Sequence, residues 1–291
     1  MNNEPLIPAH RDHRRQRHNR LFVYPVISRR ARGVSIGINL NPDKVCNFDC
    51  VYCEVDRQSK PLIRQVDLTL VENELRKVLA FYRSGDLFKH PPFDSTPAPW
   101  RRLNDIAFSG EGEPTSCPVF LEAATLAARI KDEMADASVK IVLITNATLL
   151  DRPKVRQALK ILDDHQGEIW AKLDAGTEDH YRLVNRSNVK LERILKNIET
   201  TALERPIHIQ SLFFRLHGQP PDNQEMDAYL GHLQHFLSKG CQIKEVQVYT
   251  IARPTPEAYA TALPSVELRR LGELIRSKTG IPVQCYAGNA G

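Results

Sequence analysis

The chain is short of the residues that close most metal sites. Of its six cysteines, Cys117, Cys241 and Cys285 stand alone, and no second cysteine pair exists to finish a tetrahedral zinc site of four protein ligands. The ten histidines are scattered or gathered near the N-terminus, with no His-x3-His pair to mark a metal-binding helix face. No apolar run approaches the ~18 residues of a membrane-spanning helix, so no membrane association is expected. The N-terminus also lacks the apolar segment of a secretory signal. With so few cysteines in 291 residues and no paired framework, a reducing, cytoplasmic location is expected. Solenoid-type repeats are absent as well.

The net charge of +5 is localised. Residues 1–32 hold eight arginines against Glu4 and Asp12, a surplus of six, which leaves the rest of the chain at −1. The stretch His10-Arg-Asp-His-Arg-Arg-Gln-Arg-His-Asn-Arg20 has no apolar residue to bury and reads as a basic, disordered arm over 1–20. Three readings stay open for it: a solvated tail, an electrostatic arm for nucleic acid or another polyanion, or a transit sequence.

What the chain does have is Cys46-Asn-Phe-Asp-Cys50-Val-Tyr-Cys53, three cysteines within eight residues. Thiolate selects iron–sulfur clusters, zinc or Cu(I). Three thiolates on a [4Fe-4S] cluster leave one iron without a protein ligand, and that open position is available for chemistry.

From residue 33 strand and helix signals alternate, which predicts βαβ units and a parallel sheet. Val34, Ile36, Ile38 and Leu40 alternate with polar or small residues and lead into the cysteine run. Further strands are expected at 105–109, 139–145, 168–174, 207–214 and 243–251, each followed by a helix. Thr69-Leu-Val-Glu72 predicts a capping box, and the proline-rich stretch 84–101 predicts a surface loop. In an α/β barrel, chemistry sits at the carboxyl ends of the strands, where the cysteines, Glu113, Asn146 and Asp174 all fall.

The Cys-x3-Cys-x2-Cys spacing, with Tyr52 before the last cysteine, resembles the signature of the radical S-adenosylmethionine (SAM) superfamily. The resemblance extends through Gly33-Val-Ser-Ile-Gly-Ile-Asn-Leu-Asn-Pro42, Ser109-Gly-Glu-Gly-Glu-Pro-Thr115, Leu143-Ile-Thr-Asn-Ala-Thr-Leu149, Lys172-Leu-Asp-Ala-Gly-Thr-Glu178 and Tyr249-Thr-Ile-Ala-Arg-Pro254. Taken together, residues 22–256 resemble the subgroup related to wyosine-base tRNA-modifying radical SAM proteins. Residues 1–45 contain no cysteine, whereas wyosine-forming relatives carry a further N-terminal set.

The resemblance implies an α/β fold, a partial (β/α)6 TIM-like barrel over 21–256, with a C-terminal helix and tail at 257–291 packed on it. It implies a [4Fe-4S] cluster on Cys46, Cys50 and Cys53, with SAM chelating the open iron. Reductive cleavage of SAM then gives a 5′-deoxyadenosyl radical that abstracts a substrate hydrogen. Gly112 and Glu113 are implied to hold the methionine amino group of SAM. Asn146, Lys172 and Asp174 are implied to contact its ribose or carboxylate, the alternative for each being a turn or helix-cap role. Tyr52, Tyr249 and Ile251 are implied to flank the adenine, the alternative being core packing. His208 and His217 are open as substrate contacts or structural residues. A reducing partner such as flavodoxin or ferredoxin is implied, and RNA is the candidate macromolecular substrate. The competing function is a non-catalytic, metal-stabilised nucleic-acid-binding or regulatory protein.

Overall fold

The computed structural model describes residues 20–288 apart from Ala135 and Pro254. The basic arm, except for Arg20, lies outside the described residues. The chain divides into two compact units. The first runs up to Cys46 and includes Arg57–Ile144 and Arg152–Glu168; the second includes Asn47–Asp56, Thr145–Asp151 and everything from Ile169 on.

In the first unit the strands are β1 (Val23–Ser28), β2 (Gly33–Ile38), β3 (Leu103–Phe108) and β4 (Lys140–Thr145, as far as Ile144), neighbours in that order. β1 is antiparallel to β2, and β2, β3 and β4 are parallel. The helices are α1 (Leu68–Arg83), α2 (Phe120–Glu133) and α3 (Pro153–Asp164). The spacing of Leu75, Val78, Leu79 and Tyr82 predicts a helical stripe; helix α1 buries Val71, Leu75, Val78 and Leu79, and Tyr82 is half-buried. Each such side chain contributes about 1.5–3 kcal/mol by leaving water.

Strand β1 was not expected, because Pro25 interrupts its donor row. The proline is tolerated on an edge strand, and β1 pairs with β2 alone. Glu74 of α1 helps hold the strand in place, its carboxylate accepting the backbone N–H groups of Leu21, Phe22 and Val23 at 2.8–2.9 Å. The capping-box expectation is corrected. Asp67 caps α1, accepting from the Thr69 and Leu70 amides, while Glu72 pairs with Arg76 and Arg129. The 84–101 stretch is a loop carrying two short 3-10 turns, Asp86–Lys89 and Ala98–Trp100.

The second unit contains β5 (Gly167–Lys172, from Ile169), β6 (Ile207–Leu212), β7 (Phe214–Leu216), β8 (Ile243–Tyr249), β9 (Ala260–Ala262) and β10 (Val283–Tyr286). Its helices are α4 (Glu178–Asn185), α5 (Leu191–Glu204), α6 (Asn223–Ser238) and α7 (Ser265–Thr279). The order β5-β6-β8-β10 is parallel throughout. The expected strand 207–214 breaks at Phe213. Its last residue starts β7, which turns aside to pair antiparallel with β9. Strand β10 was also not expected; four residues at a parallel edge carry little periodic signal. Among the described residues no helix is long and apolar enough to cross a membrane.

Candidate functional site

In the first unit, the loop after β3 is built on close approach. A Cβ on Gly110 would lie 2.3 Å from Asn39 Oδ1, and one on Gly112 would lie 2.2 Å from the Val45 carbonyl oxygen. Only glycine lets the backbone of this loop pack on the Asn39–Val45 segment that leads to Cys46. Asn39 clasps residue 111 twice: its Nδ2 donates to the Glu111 carboxylate at 2.8 Å, and its Oδ1 accepts the Glu111 amide at 3.1 Å. Asn41 Nδ2 donates to Ser116 Oγ at 3.2 Å.

Glu113 is buried at 2% exposure. Its Oε1 accepts from the Thr115 amide at 3.1 Å and the Thr115 hydroxyl at 2.5 Å, capping the 3-10 turn Pro114–Ser116. The cap orients the carboxylate and keeps it inside the loop.

In the second unit, the cysteine loop docks on the end of α4. The Asp49 and Val51 amides donate to the carbonyls of Asn185 and Val184 at 3.0 and 2.9 Å. Arg186, at positive φ after the helix, pairs with Glu257 at 2.7 Å and Asp49 at 3.6 Å. Beneath the loop, Val51 and Tyr52 pack with Val184, Leu212, Phe214 and Ala260, with Tyr249 and Ile251 at the margin of the same cluster.

A polar network sits against that apolar cluster. The Tyr52 hydroxyl donates to Asp174 Oδ2, and the Leu212 amide donates to Asp174 Oδ1 at 2.8 Å. Asn185 Nδ2 reaches Asp174 Oδ2 at 3.5 Å, the Tyr52 hydroxyl at 3.3 Å and Cys50 Sγ at 3.4 Å. The Lys172 ammonium lies 5.0 Å from the centre of the Tyr52 ring, close enough for a cation–π contact.

Burial disfavours the Lys172 charge, yet its neighbours Tyr249, Asp174 and Cys50, with a hydrogen bond to Tyr249, hold its pKa above the usual lysine value. Burial pushes the Cys50 thiol up to about 11, with Lys172 and the Asn185 amide opposing it. Tyr52 is also held well above the ordinary phenol range, by burial first and then by the Asp174 charge.

Asn146 stands apart from this network. Its Nδ2 donates to Asn47 Oδ1 at 2.7 Å, and its Oδ1 accepts from Thr148 at 2.7 and 3.1 Å, so its amide ties Asn47 of the cysteine loop to the Asn146–Thr148 turn of the same unit. Within the second unit the structure therefore brings together Cys50, Tyr52, Lys172, Asp174 and Tyr249, with Ile251 on the apolar margin. Asn185 was missed in the sequence reading. It is one polar residue at a helix end, with no spacing to mark it.

No family model matches the chain. It is 26% identical over 280 residues to the UPF0026 protein slr1464 of Synechocystis sp., a match spanning 90% of this chain and 95% of that one. It is 33% identical over 140 residues to a UPF0026 protein of Helicobacter pylori, which takes in 48% of this chain and only 39% of the relative. Among solved structures, a radical SAM methyltransferase from Sphaerobacter thermophilus superposes with a TM-score of 0.62 at 14% identity, over 92% of this chain and 70% of that one. Streptococcus suis SuiB bound to S-adenosylmethionine gives 0.59 at 13% identity, over 87% and 50%. TYW1 with a lysine-pyruvate adduct bound gives 0.50 at 16% identity, over 85% and 74%.

This chain has the radical SAM fold. Its class is α/β, consistent with the partial TIM-like barrel that the resemblance implied.

Among the described residues, no group of three or more His, Cys, Asp or Glu side chains is arranged to hold a metal ion, Cys46, Cys50 and Cys53 included. Their donor chemistry does fit an iron–sulfur cluster. All three thiols are half-buried and outside any disulfide, on one short loop. The Asn185 amide already donates to the Cys50 sulfur, as it would to a ligating thiolate, which strengthens the match.

Proposed function

We propose that the chain is a radical SAM enzyme in which Cys46, Cys50 and Cys53 hold a [4Fe-4S] cluster. The observation that carries the reading is the loop of three unoxidised thiols directly after β2, in a chain with this fold. When bound, the cluster supplies the electron that cleaves SAM to methionine and a 5′-deoxyadenosyl radical able to abstract hydrogen.

The chain's own residues supply position. In the first unit, Gly112 gives backbone access and Glu113, oriented by Thr115, offers a carboxylate to the methionine ammonium. In the second, Asp174 and Lys172 are a fixed acceptor and a held cation for the ribose hydroxyls and the carboxylate. Tyr52, Tyr249 and Ile251 supply an apolar margin for the adenine, and Val51, Leu212 and Phe214 help exclude water from it. Asn146 acts by fixing the cysteine loop.

A cytoplasmic flavodoxin or ferredoxin is the proposed electron source. RNA engaged through the arginines of residues 11–20 is the proposed macromolecular substrate, in keeping with phosphate attraction to clustered cations.

Anaerobic reconstitution should give about four irons per chain. Dithionite and SAM should then yield 5′-deoxyadenosine, and Cys50→Ala should abolish that product. Retention of the product in Cys50→Ala, or one equivalent of zinc in place of iron, would overturn the reading in favour of a metal-stabilised binding protein. Loss of a tRNA gel shift on deleting residues 1–20 would support the RNA assignment, and an unchanged shift would remove it.

A further inference from the structure

The interior of a parallel barrel is ordinarily layered with Val, Ile and Leu. In the second unit, one face of the strands carries long polar side chains among apolar ones instead. Register sets its residues in rows: Trp170, His208 and Glu245 form one, and Lys172, Gln210 and Gln247 form the next. Ser211, on the opposite face of β6, directs its hydroxyl to Tyr229 of α6 and to the Leu173 carbonyl. Strand alternation therefore turns Gln210 away from the helix layer.

Gln210 is fully buried and Gln247 is 2% exposed. Gln210 Nε2 donates to Gln247 Oε1 at 2.8 Å, which fixes the two amides edge to edge across adjacent strands. Gln210 Oε1 accepts no hydrogen bond from any described group of the protein. A buried amide oxygen left without a donor is costly, and nothing in packing alone favours a glutamine there over leucine. Two residues further along the same face, Leu212 and Tyr249 border the cluster that includes Tyr52. The row thus leads toward the candidate SAM residues of this unit.

We propose that Gln210 and Gln247 are the specificity pair for the substrate, recognising a planar group that presents an N–H donor beside an acceptor. Glutamine suits such an edge because its carboxamide offers both roles in one plane. A nucleobase and a primary carboxamide share this chemistry, and Lys172 adds a cation in the same row. The assignment rests on the radical SAM reading, which makes this face the seat of the substrate.

The test uses the full chain, anaerobically reconstituted, titrated by calorimetry with adenosine, cytidine, guanosine and uridine and separately with benzamide, up to about 1 mM. Saturable binding of one nucleoside assigns a nucleobase edge; binding of benzamide alone assigns a carboxamide. Gln210→Leu and Gln247→Leu should each weaken that binding on the order of tenfold. Gln210→Met, nearly isosteric, serves if the leucine variants melt early. Binding of no probe, or binding unchanged in these variants, overturns the proposal. Its failure is separable from that of the enzyme reading, because 5′-deoxyadenosine formation by the unsubstituted chain is measured on the same preparation.

Discussion

On the face of β2, β3 and β4 that carries Ser35, Gly37, Ala107 and Val142, the first unit presents small or apolar side chains apart from the buried acid Asp105 and Lys140 beside it at the start of β4. On the face of β5, β6 and β8 that carries Lys172, Gln210 and Gln247, the second unit presents long polar ones. The first region achieves its geometry by omission. Gly37 makes room for the Tyr24 ring, and Gly110 and Gly112 make room for the segment before Cys46. The second achieves it by addition, with a network of hydroxyl, carboxylate, amide and ammonium groups around Cys50. Close backbone approach suits a ligand held by main-chain contacts, whereas a polar network suits discrimination among ligands by their hydrogen-bonding groups.

The comparison breaks most severely at Gly112. Gly112→Val would drive a side chain into the Val45 carbonyl, and a loss on the order of 5 kcal/mol is expected from urea unfolding, with iron uptake falling in parallel. A smaller effect, of opposite sign, is expected at Asp105. Burial raises its carboxyl from 3.8 to about 7, with the nearby Glu168 charge adding to the rise and Ser35 opposing it. Because the folded value exceeds the unfolded one, the stability this group contributes is complete below the unfolded value. It is lost as pH rises through about 7. Asp105→Asn should therefore flatten the decline between pH 4 and 8 and gain roughly 4 kcal/mol at the upper end, read from urea midpoints across pH. The smallest effect sharpens the contrast in the second unit. Tyr52→Phe removes one of the donors to Asp174 while the Leu212 amide remains, so a loss of about 1–2 kcal/mol is expected in the same assay.

Much of the architecture was legible because it rests on local pattern. Alternation over 34–40 marked β2, and the stripe from Leu75 to Leu79 marked α1. Two of the exceptions have a long-range cause and one a local one. Strand β1 exists despite Pro25 because only one neighbour needs its donors, and Glu74 supplies acceptors from 51 to 53 residues away. The cap of α1 moved from Thr69 to Asp67 because both residue types compete for the role, and the one whose carboxylate reaches the free amides takes it. The strand at 207–214 broke because Phe214 pairs with Ala262, a partner no local window contains.

The same division holds for chemistry. The number, spacing and softness of the three thiols near residue 50, and the glycine–acid run at 110–113, are properties of adjacent residues and were readable from the chain alone. That Asn185 donates to Cys50, that Glu113 is buried and capped, and that Gln210 faces Gln247 depend on which strands and helices become neighbours. Covalent order sets which ligands share a loop. Burial and hydrogen-bond satisfaction across 11 to 135 residues of separation are decided only when the chain has folded.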